Sequence, residues 1–399
     1  MTISEISFKK KEKNKGKIKL LLNGESFSSD CIATDDSYYI NLGEGEGIKI
    51  IKDNKRYHSL EETNKNLSYF KDRNFDSFPK IINHNIDSDK LVMRVEHIEH
   101  KSYDTHVPIW MPPEEKTFLK ERLQAPLGLI DSFNNFIIKE KLNPEDEWCK
   151  SKNIVDRKIV DFHRFRVNTD RYEIPTEAKP EDCSKIFNNA VKRYLARGDN
   201  KWKGKIYQGH NFSNGHTFEG YSSDGKVFDS YRKLNFYHLN KAKGKKVLDI
   251  GCNEGFFSTQ ASLAGAKSVT SIDLCQEDIM LASEIRDEIT GLNNIEYINT
   301  DAVDFIKNDK NKYNLTFLSS VLHQIYPNNK GAHNFMADIA SRTEYLCIES
   351  PFGHKLMNVP LSTMFDFLCD YFDIVRFLFA YDAYSSGYRA IFVCHNPKL

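Results

Sequence analysis

The chain has 399 residues, 40% of them hydrophobic, and its 56 Lys plus Arg are balanced by 56 Asp plus Glu. That length suits two domains with sizeable cores, and the balanced charge excludes a whole-protein polyanion trap while leaving room for a local basic patch. No run approaches the ~20 apolar residues of a spanning helix, so no membrane span is expected.

Met1-Thr2-Ile3-Ser4-Glu5 turns charged at once and lacks the apolar core of a signal peptide. Residues 1–30 read as a charged N-terminal segment, because Lys9 to Lys19 is lysine-rich and low in apolar content, the composition of a solvated tail. Residues 31–174 read as an α+β domain. Tyr38-Tyr39-Ile40-Asn41-Leu42 and Ile48-Lys49-Ile50-Ile51 are strand-like runs around Gly43, Gly45 and Gly47. Ser59 followed by Glu62 is a capping-box signature, and Lys90 to Val95 is again strand-like. Between 114 and 140, Phe118, Leu119, Leu123, Leu127, Leu129, Ile130 and Phe133 have helical spacing that Pro126 interrupts. Lys158-Ile159-Val160-Asp161-Phe162 resembles one more strand. Prolines and charges from Pro175 to Asp182 mark a linker, which extends to residue 204.

Residues 205–399 have a sharper pattern. Strand-like runs recur at Lys246–Ile250, Ser268–Leu274, Ile295–Asn299, Leu315–Ser319 and Tyr345–Glu349, with helices predicted over Phe256–Ala264 and Glu277–Ile289. Such alternation implies parallel pairing with right-handed crossovers. Phe372–Tyr381 and Tyr388–His395, joined by Ser385-Ser386-Gly387, read as a terminal antiparallel hairpin. The fold class is therefore α/β, a Rossmann-like sheet, parallel with a terminal antiparallel hairpin, preceded by an α+β domain.

The strongest local signal is Val247-Leu248-Asp249-Ile250-Gly251-Cys252-Asn253-Glu254-Gly255-Phe256-Phe257, between a strand and a helix. Gly251 and Gly255 remove side chains where backbone bends and nears a ligand. Asp249 can hold the turn or reach a ligand amine. Asp273 ends the next strand, 22 residues after Gly251, where an acid grips ribose hydroxyls, and Thr300-Asp301-Ala302 delivers another carboxylate to the same edge. A dinucleotide turn would read GxGxxG, whereas this one places Glu254 where pyrophosphate would sit, which favours a cationic ligand.

These residues resemble the class I S-adenosylmethionine-dependent methyltransferase family over about residues 205–397. The resemblance implies a methyltransferase with S-adenosylmethionine as cofactor. The glycine turn would wrap its methionine part, Asp273 would bind the ribose, and Asp301 with Ala302 the adenine. The cofactor set implied is Arg232, Asp249, Gly251, Cys252, Asn253, Gly255, Asp273, Leu274, Asp301, Ala302 and Ser319. Arg232 would pair with the cofactor carboxylate. Asn253 departs from the family's usual glycine, but Asn tolerates positive φ.

No Asn-Pro-Pro-Tyr or Asp-Pro-Pro-Tyr follows the fourth strand, as amine methylation would suit. His323 just beyond that strand is the candidate general base, with Glu349 and His354 as fallbacks. The expected acceptor is a hydroxyl of a small molecule, sugar or glycan-linked group. RNA is the alternative partner, through Lys192-Arg193-Tyr194, Arg197 and Lys201-Trp202-Lys203-Gly204-Lys205-Ile206-Tyr207, where cations alternate with aromatics. A non-catalytic cofactor sensor or scaffold is the third class.

The eight cysteines, at 31, 149, 183, 252, 275, 347, 369 and 394, form no CxxC pair, so no metal site is expected and the setting is cytoplasmic. Over residues 30–165 there is also a faint protein-kinase-like resemblance. It implies phosphate cradling by glycines 43, 45 and 47, a lysine–glutamate pair with Glu61 or Glu62, and a metal-binding Asp161. No His-Arg-Asp loop precedes Asp161.

Overall fold

The structure is a computed structural model that describes residues 3–12, 15–33, 37–52, 59–76, 78–87, 89–97, 142–144, 154–155, 158–159, 165–167, 174–196, 205–221, 230–234, 236–325, 329–352, 360–382 and 388–398. The chain divides into two units, residues 1–111 with 119–168, and residues 112–118 with 169–399.

The first unit is built on a wholly antiparallel seven-stranded sheet. Its strands are β1 (Ile3–Glu12), β2 (Lys15–Leu22), β3 (Glu25–Ala33), β4 (Ser37–Gly43), β5 (Glu46–Lys52), β6 (Ile81–Asp87) and β7 (Lys90–Glu96), in the order β1-β2-β3-β4-β5-β7-β6. The segment expected as a solvated tail is thus strand. Along β2, Lys17 and Lys19 are exposed while Ile18 and Leu20 are buried, the period of two that a half-covered strand needs. Ile18 and Leu20 join Cys31, Ile40, Ile48, Ile50 and Val92 in one core. Helix α1 (Leu60–Arg73) starts at Ser59, whose side chain accepts from the Glu62 amide at 3.1 Å. Four short strands follow, β8 (Leu142–Pro144), β9 (Ile154–Val155), β10 (Lys158–Ile159) and β11 (Phe165–Val167), pairing β9 with β10 and β8 with β11. Phe118 to Phe133 and Val160-Asp161-Phe162 lie outside the described residues.

The glycines of the kinase-like resemblance lie at the turn between β4 and β5. Gly43 pairs with Glu46, leaving Glu44 and Gly45 as a two-residue turn with φ of 52° and 75°. Positive φ at both central residues is what a right-twisted hairpin requires, so Gly45 serves the turn and two glutamates flank it.

The second unit opens with α2 (Pro180–Ala196), where the sequence suggested a linker. Cys183, Ile186, Phe187, Ala190 and Tyr194 recur at helical spacing and are buried, packing with Leu281, Ile285 and Ile289. The strand pair β12 (His210–Asn211) and β13 (Thr217–Phe218) and helix α3 (Ser230–Leu234) precede the main sheet. That sheet comprises β14 (Lys246–Ile250), β15 (Ser268–Asp273), β16 (Ile295–Asn299), β17 (Leu315–Ser319), β18 (Tyr345–Phe352), β19 (Phe372–Asp382) and β20 (Tyr388–Pro397). Between them run α4 (Phe256–Leu263), α5 (Gln276–Glu284, continuing as a π-helix over Ile285–Thr290), α6 (Ala302–Asn308), α7 (Leu322–Ile325), α8 (Asn329–Arg342) and α9 (Leu361–Cys369).

The strand order is β16-β15-β14-β17-β18-β20-β19. β14 to β18 are mutually parallel, and β20 runs antiparallel between β18 and β19. The turn residues Ser385-Ser386-Gly387 lie outside the described residues. Among the described residues, no helix is long and apolar enough to cross a membrane.

Candidate active site

Strand order reverses at β14, which has β15 on one side and β17 on the other. In an open parallel sheet, the carboxyl ends of the strands at such a switch point border a crevice where ligands bind. The glycine turn leaves β14 there. Gly251 and Cys252 donate to the Ile272 carbonyl at 2.9 and 3.0 Å, tying the turn to the end of β15. Gly251, Asn253 and Gly255 have φ of 72°, 52° and 78°. A Cβ at Gly251 would collide with Val321 Cγ2, and one at Gly255 with the Tyr297 hydroxyl. Both positions therefore need glycine twice over, for backbone angle and for space. Asn253 adopts the positive φ that its side chain tolerates.

The turn's polar groups form a connected set. Asp273 accepts from the Asn253 amide at 2.9 Å and from the Cys275 amide at 2.8 Å. Asn253 Nδ2 donates to Asp278 Oδ2 at 3.1 Å, while Asp278 Oδ1 accepts from the buried Tyr194 hydroxyl at 2.5 Å. Asp249 is 1% exposed and accepts from Ser258 Oγ at 2.6 Å, and burial lifts its carboxyl to about 7. Asp249 Oδ1 and Asn253 Oδ1 are buried acceptors without a hydrogen-bond partner. Cys252 is buried, and burial also pushes its thiol well up, so it is inert. Leu274 is 71% exposed. Asp301 caps α6, accepting from Val303 and Asp304 amides at 2.8 and 3.0 Å, with Ala302 as the first helical residue.

Glu254 corrects the sequence argument made from it. Its carboxylate is 1% exposed and turned inward, accepting from the Tyr207 and Gln208 amides at 2.7 and 3.3 Å. It offers no charge to a ligand. A different feature disfavours a pyrophosphate: the first amide of α4, Phe256, donates to Gln208 Oε1 at 3.2 Å, so a helix N-terminus that phosphate would need is capped from within the chain.

At the end of β17, Ser319 Oγ bonds the Tyr237 hydroxyl at 2.7 Å, and Tyr237 clusters with Phe257 and Phe317. His323 is half-buried on α7, the short helix that starts just past β17. Glu349 is aligned with Ser319 in register, but its environment is not that of a base. Its carboxylate is fully buried, with Lys233 Nζ 2.7 Å from Oε2 and Arg389 Nη1 2.8 Å from Oε1. Buried and engaged at both oxygens by cations, Glu349 is not open to an acceptor hydroxyl, so its surroundings do not favour the fallback role of proton acceptor. His354 lies outside the described residues, as does the side chain of Arg232 on α3. Among the described residues, no group of three or more His, Cys, Asp or Glu is placed to hold a metal.

Lys233 and Arg389 are partners that sequence reasoning missed. Arg389 faces Pro351 in the β18–β20 register, which makes it the diagonal neighbour of Glu349, and no local motif announces a register. Within the basic-aromatic stretch, Arg193 pairs with Glu284 through two bonds of 3.0 and 2.7 Å, Tyr194 is buried, Lys192 is exposed, and the exposed Lys205 lies 3.7 Å from Glu219. Arg197 and residues 201–204 lie outside the described residues.

Residues 241–359, which include the glycine turn and the ends of β14 to β18, match a family model described as a methyltransferase domain. This part of the chain is a class I S-adenosylmethionine-dependent methyltransferase domain. The chain is 40% identical over 102 residues to a ribosomal RNA large subunit methyltransferase K/L of Shewanella frigidimarina, covering 25% of this chain and 14% of that protein. It is 43% identical over 65 residues to a ubiquinone biosynthesis O-methyltransferase of Actinobacillus pleuropneumoniae, covering 16% of this chain and 26% of that one. The chain thus spans well under two thirds of these relatives. Among solved structures, WbdD, described as a bifunctional kinase-methyltransferase, aligns with a TM-score of 0.38 at 19% identity, covering 42% of this chain and 40% of its own. The methyltransferase domain takes S-adenosylmethionine as cofactor.

Proposed function

We propose that the domain transfers a methyl group to a hydroxyl oxygen of a small molecule, sugar or glycan-linked group, with His323 accepting the proton. When bound, the cofactor supplies a methyl carbon made electrophilic by its positively charged sulfur. Gly251 and Gly255 would admit its methionine part, near Asp249, Cys252, Asn253, Ser319 and Arg232. The orphaned acceptors Asp249 Oδ1 and Asn253 Oδ1 suit a ligand that donates hydrogen bonds. Asp273 would take the ribose hydroxyls, and Leu274, Asp301 and Ala302 the adenine.

The observation that carries the acceptor reading is the placement of His323. It sits one short turn beyond β17, on the segment whose Val321 packs against Gly251. A neutral imidazole accepts protons near pH 7, and Glu349, with both oxygens engaged by cations, is the weaker candidate. The name of the Actinobacillus relative agrees with an oxygen acceptor, and that of the Shewanella relative with RNA.

The test is methyl transfer from labelled cofactor to fractionated cell extract by the full chain. Label in a small-molecule or glycan fraction supports this reading, and label that nuclease releases replaces it with RNA. His323→Ala should then lower kcat by about 10²–10⁴-fold with cofactor affinity nearly unchanged. Full turnover in that variant would mean an acceptor already ionised, with no base required.

A further inference from the structure

Glu349, Arg389 and Ser320 come together from β18, β20 and the residue just past β17. We infer that they form a positioning device, which holds Ser320 in a left-handed conformation and so seats the start of α7 against the cofactor turn. The inference rests on the reading of His323 given above for its catalytic consequence, but not for its structural half.

Ser320 has φ of 60°, a region that residues other than glycine, Asn and Asp rarely enter. Its contacts explain how it stays there. The Ser320 amide donates to the Glu349 carbonyl at 2.9 Å, extending the β17–β18 ladder by one residue. Its hydroxyl donates to Glu349 Oε1 at 3.0 Å and accepts from Arg389 Nη1. Glu349 is anchored in turn by Lys233 from α3 and by the Tyr237 hydroxyl at 3.3 Å from Oε2. The carboxylate is thus a fixed point to which four segments of the domain are tied, and Ser320 is the one with a left-handed backbone.

What Ser320 releases is the chain direction. Immediately after it, Val321 places Cγ2 in the space that a Cβ on Gly251 would fill, Leu322 is buried, and α7 begins. The left-handed residue converts an outgoing strand into a turn folded back over the glycine loop. His323 arrives at the sheet edge by that turn. Glu349 and Arg389 therefore act through Ser320 and are positioning residues for the transfer, not proton carriers.

The experiment uses the full chain with Ser320→Ala, Ser320→Gly and Glu349→Gln. Both serine variants lose the hydroxyl, but only glycine keeps easy access to positive φ. An alanine pays about ten-fold in population for that conformation. Hydrogen exchange of residues 319–325 should accelerate about ten-fold in Ser320→Ala and in Glu349→Gln, and distinctly less in Ser320→Gly. In methyl transfer, Ser320→Ala should lose about ten-fold in kcat with little change in cofactor Kd, and Ser320→Gly should regain most of that loss. Equal behaviour of the alanine and glycine variants would overturn the inference, because the hydroxyl and not the backbone angle would then matter. Faster exchange with undiminished kcat would overturn its catalytic half. A wild-type chain that transfers no methyl defeats the proposed function instead, and the exchange result still decides the clamp. If Glu349→Gln does not fold, the serine pair suffices.

Discussion

At the scale of single residues, the carboxylates of the glycine turn carry distinct burdens. Asp249 is fully buried, and its carboxyl is raised to about 7 by that burial. In the unfolded chain an aspartate loses its proton near pH 4. Between these values the folded state binds the extra proton, so this residue's contribution to stability is complete below about pH 4 and is lost as pH rises to about 7. Asp249→Asn should remove that dependence. Urea unfolding of the variant across this window should show a slope flatter than wild type by about 1.4 kcal/mol per pH unit. Parallel slopes would mean that Asp249 is ionised in the folded protein. The identity of these residues was legible in the sequence, since acids at strand ends next to glycines are local signals. Their partners were not. Glu254 sits in the turn yet faces away from it, and Glu349 was readable as a base until Lys233 and Arg389 were seen beside it.

At the scale of elements, β14 and β17 were plain because strands covered on both faces of a parallel sheet are rich in apolar residues, while β15 was marked by β-branched residues and its terminal acid. Two elements were hidden by composition. Lysines alternate with apolar residues in β2, so a tally of charge concealed a period of two. Prolines and acids at the start of α2 looked like a linker, although Pro180, Glu181 and Asp182 are the residues a helix N-terminus favours. The glycine turn gives a sharper test of how elements fit. Gly244 and Gly251 share nearly the same φ, 70° and 72°, but a Cβ on Gly244 would meet nothing within 4 Å. Gly244→Ala should therefore cost only the left-handed penalty, about 1 kcal/mol. Gly251→Ala must also push Val321 away. It should be less stable by at least about 1 kcal/mol more in chemical denaturation, and cofactor titration should show weakened binding. Equal costs would show that the β17–α7 turn yields freely.

At the scale of the whole molecule, the border suggested by sequence near residue 205 is not a folding border. The methyltransferase core extends upstream through α2, whose apolar face is completed by Leu281, Ile285 and Ile289. The reason it escaped notice is that packing between α2 and α5 joins residues some 90 positions apart, as Arg193 and Glu284 do at a separation of 91. That distant helix also reaches the catalytic edge, because Tyr194 donates to one oxygen of Asp278 while Asn253 donates to the other. Two sites that share one carboxylate are thermodynamically linked, and linkage runs equally in both directions. Whatever steadies the glycine turn must tighten α2 by the same free energy with which α2 steadies the turn. In Tyr194→Phe, cofactor should bind more weakly, by about three- to ten-fold, and should raise Tm by less than it raises that of wild type. An unchanged Kd would uncouple them. A weakened Kd would mean that a helix outside the matched segment helps set the affinity for a ligand at the glycine turn.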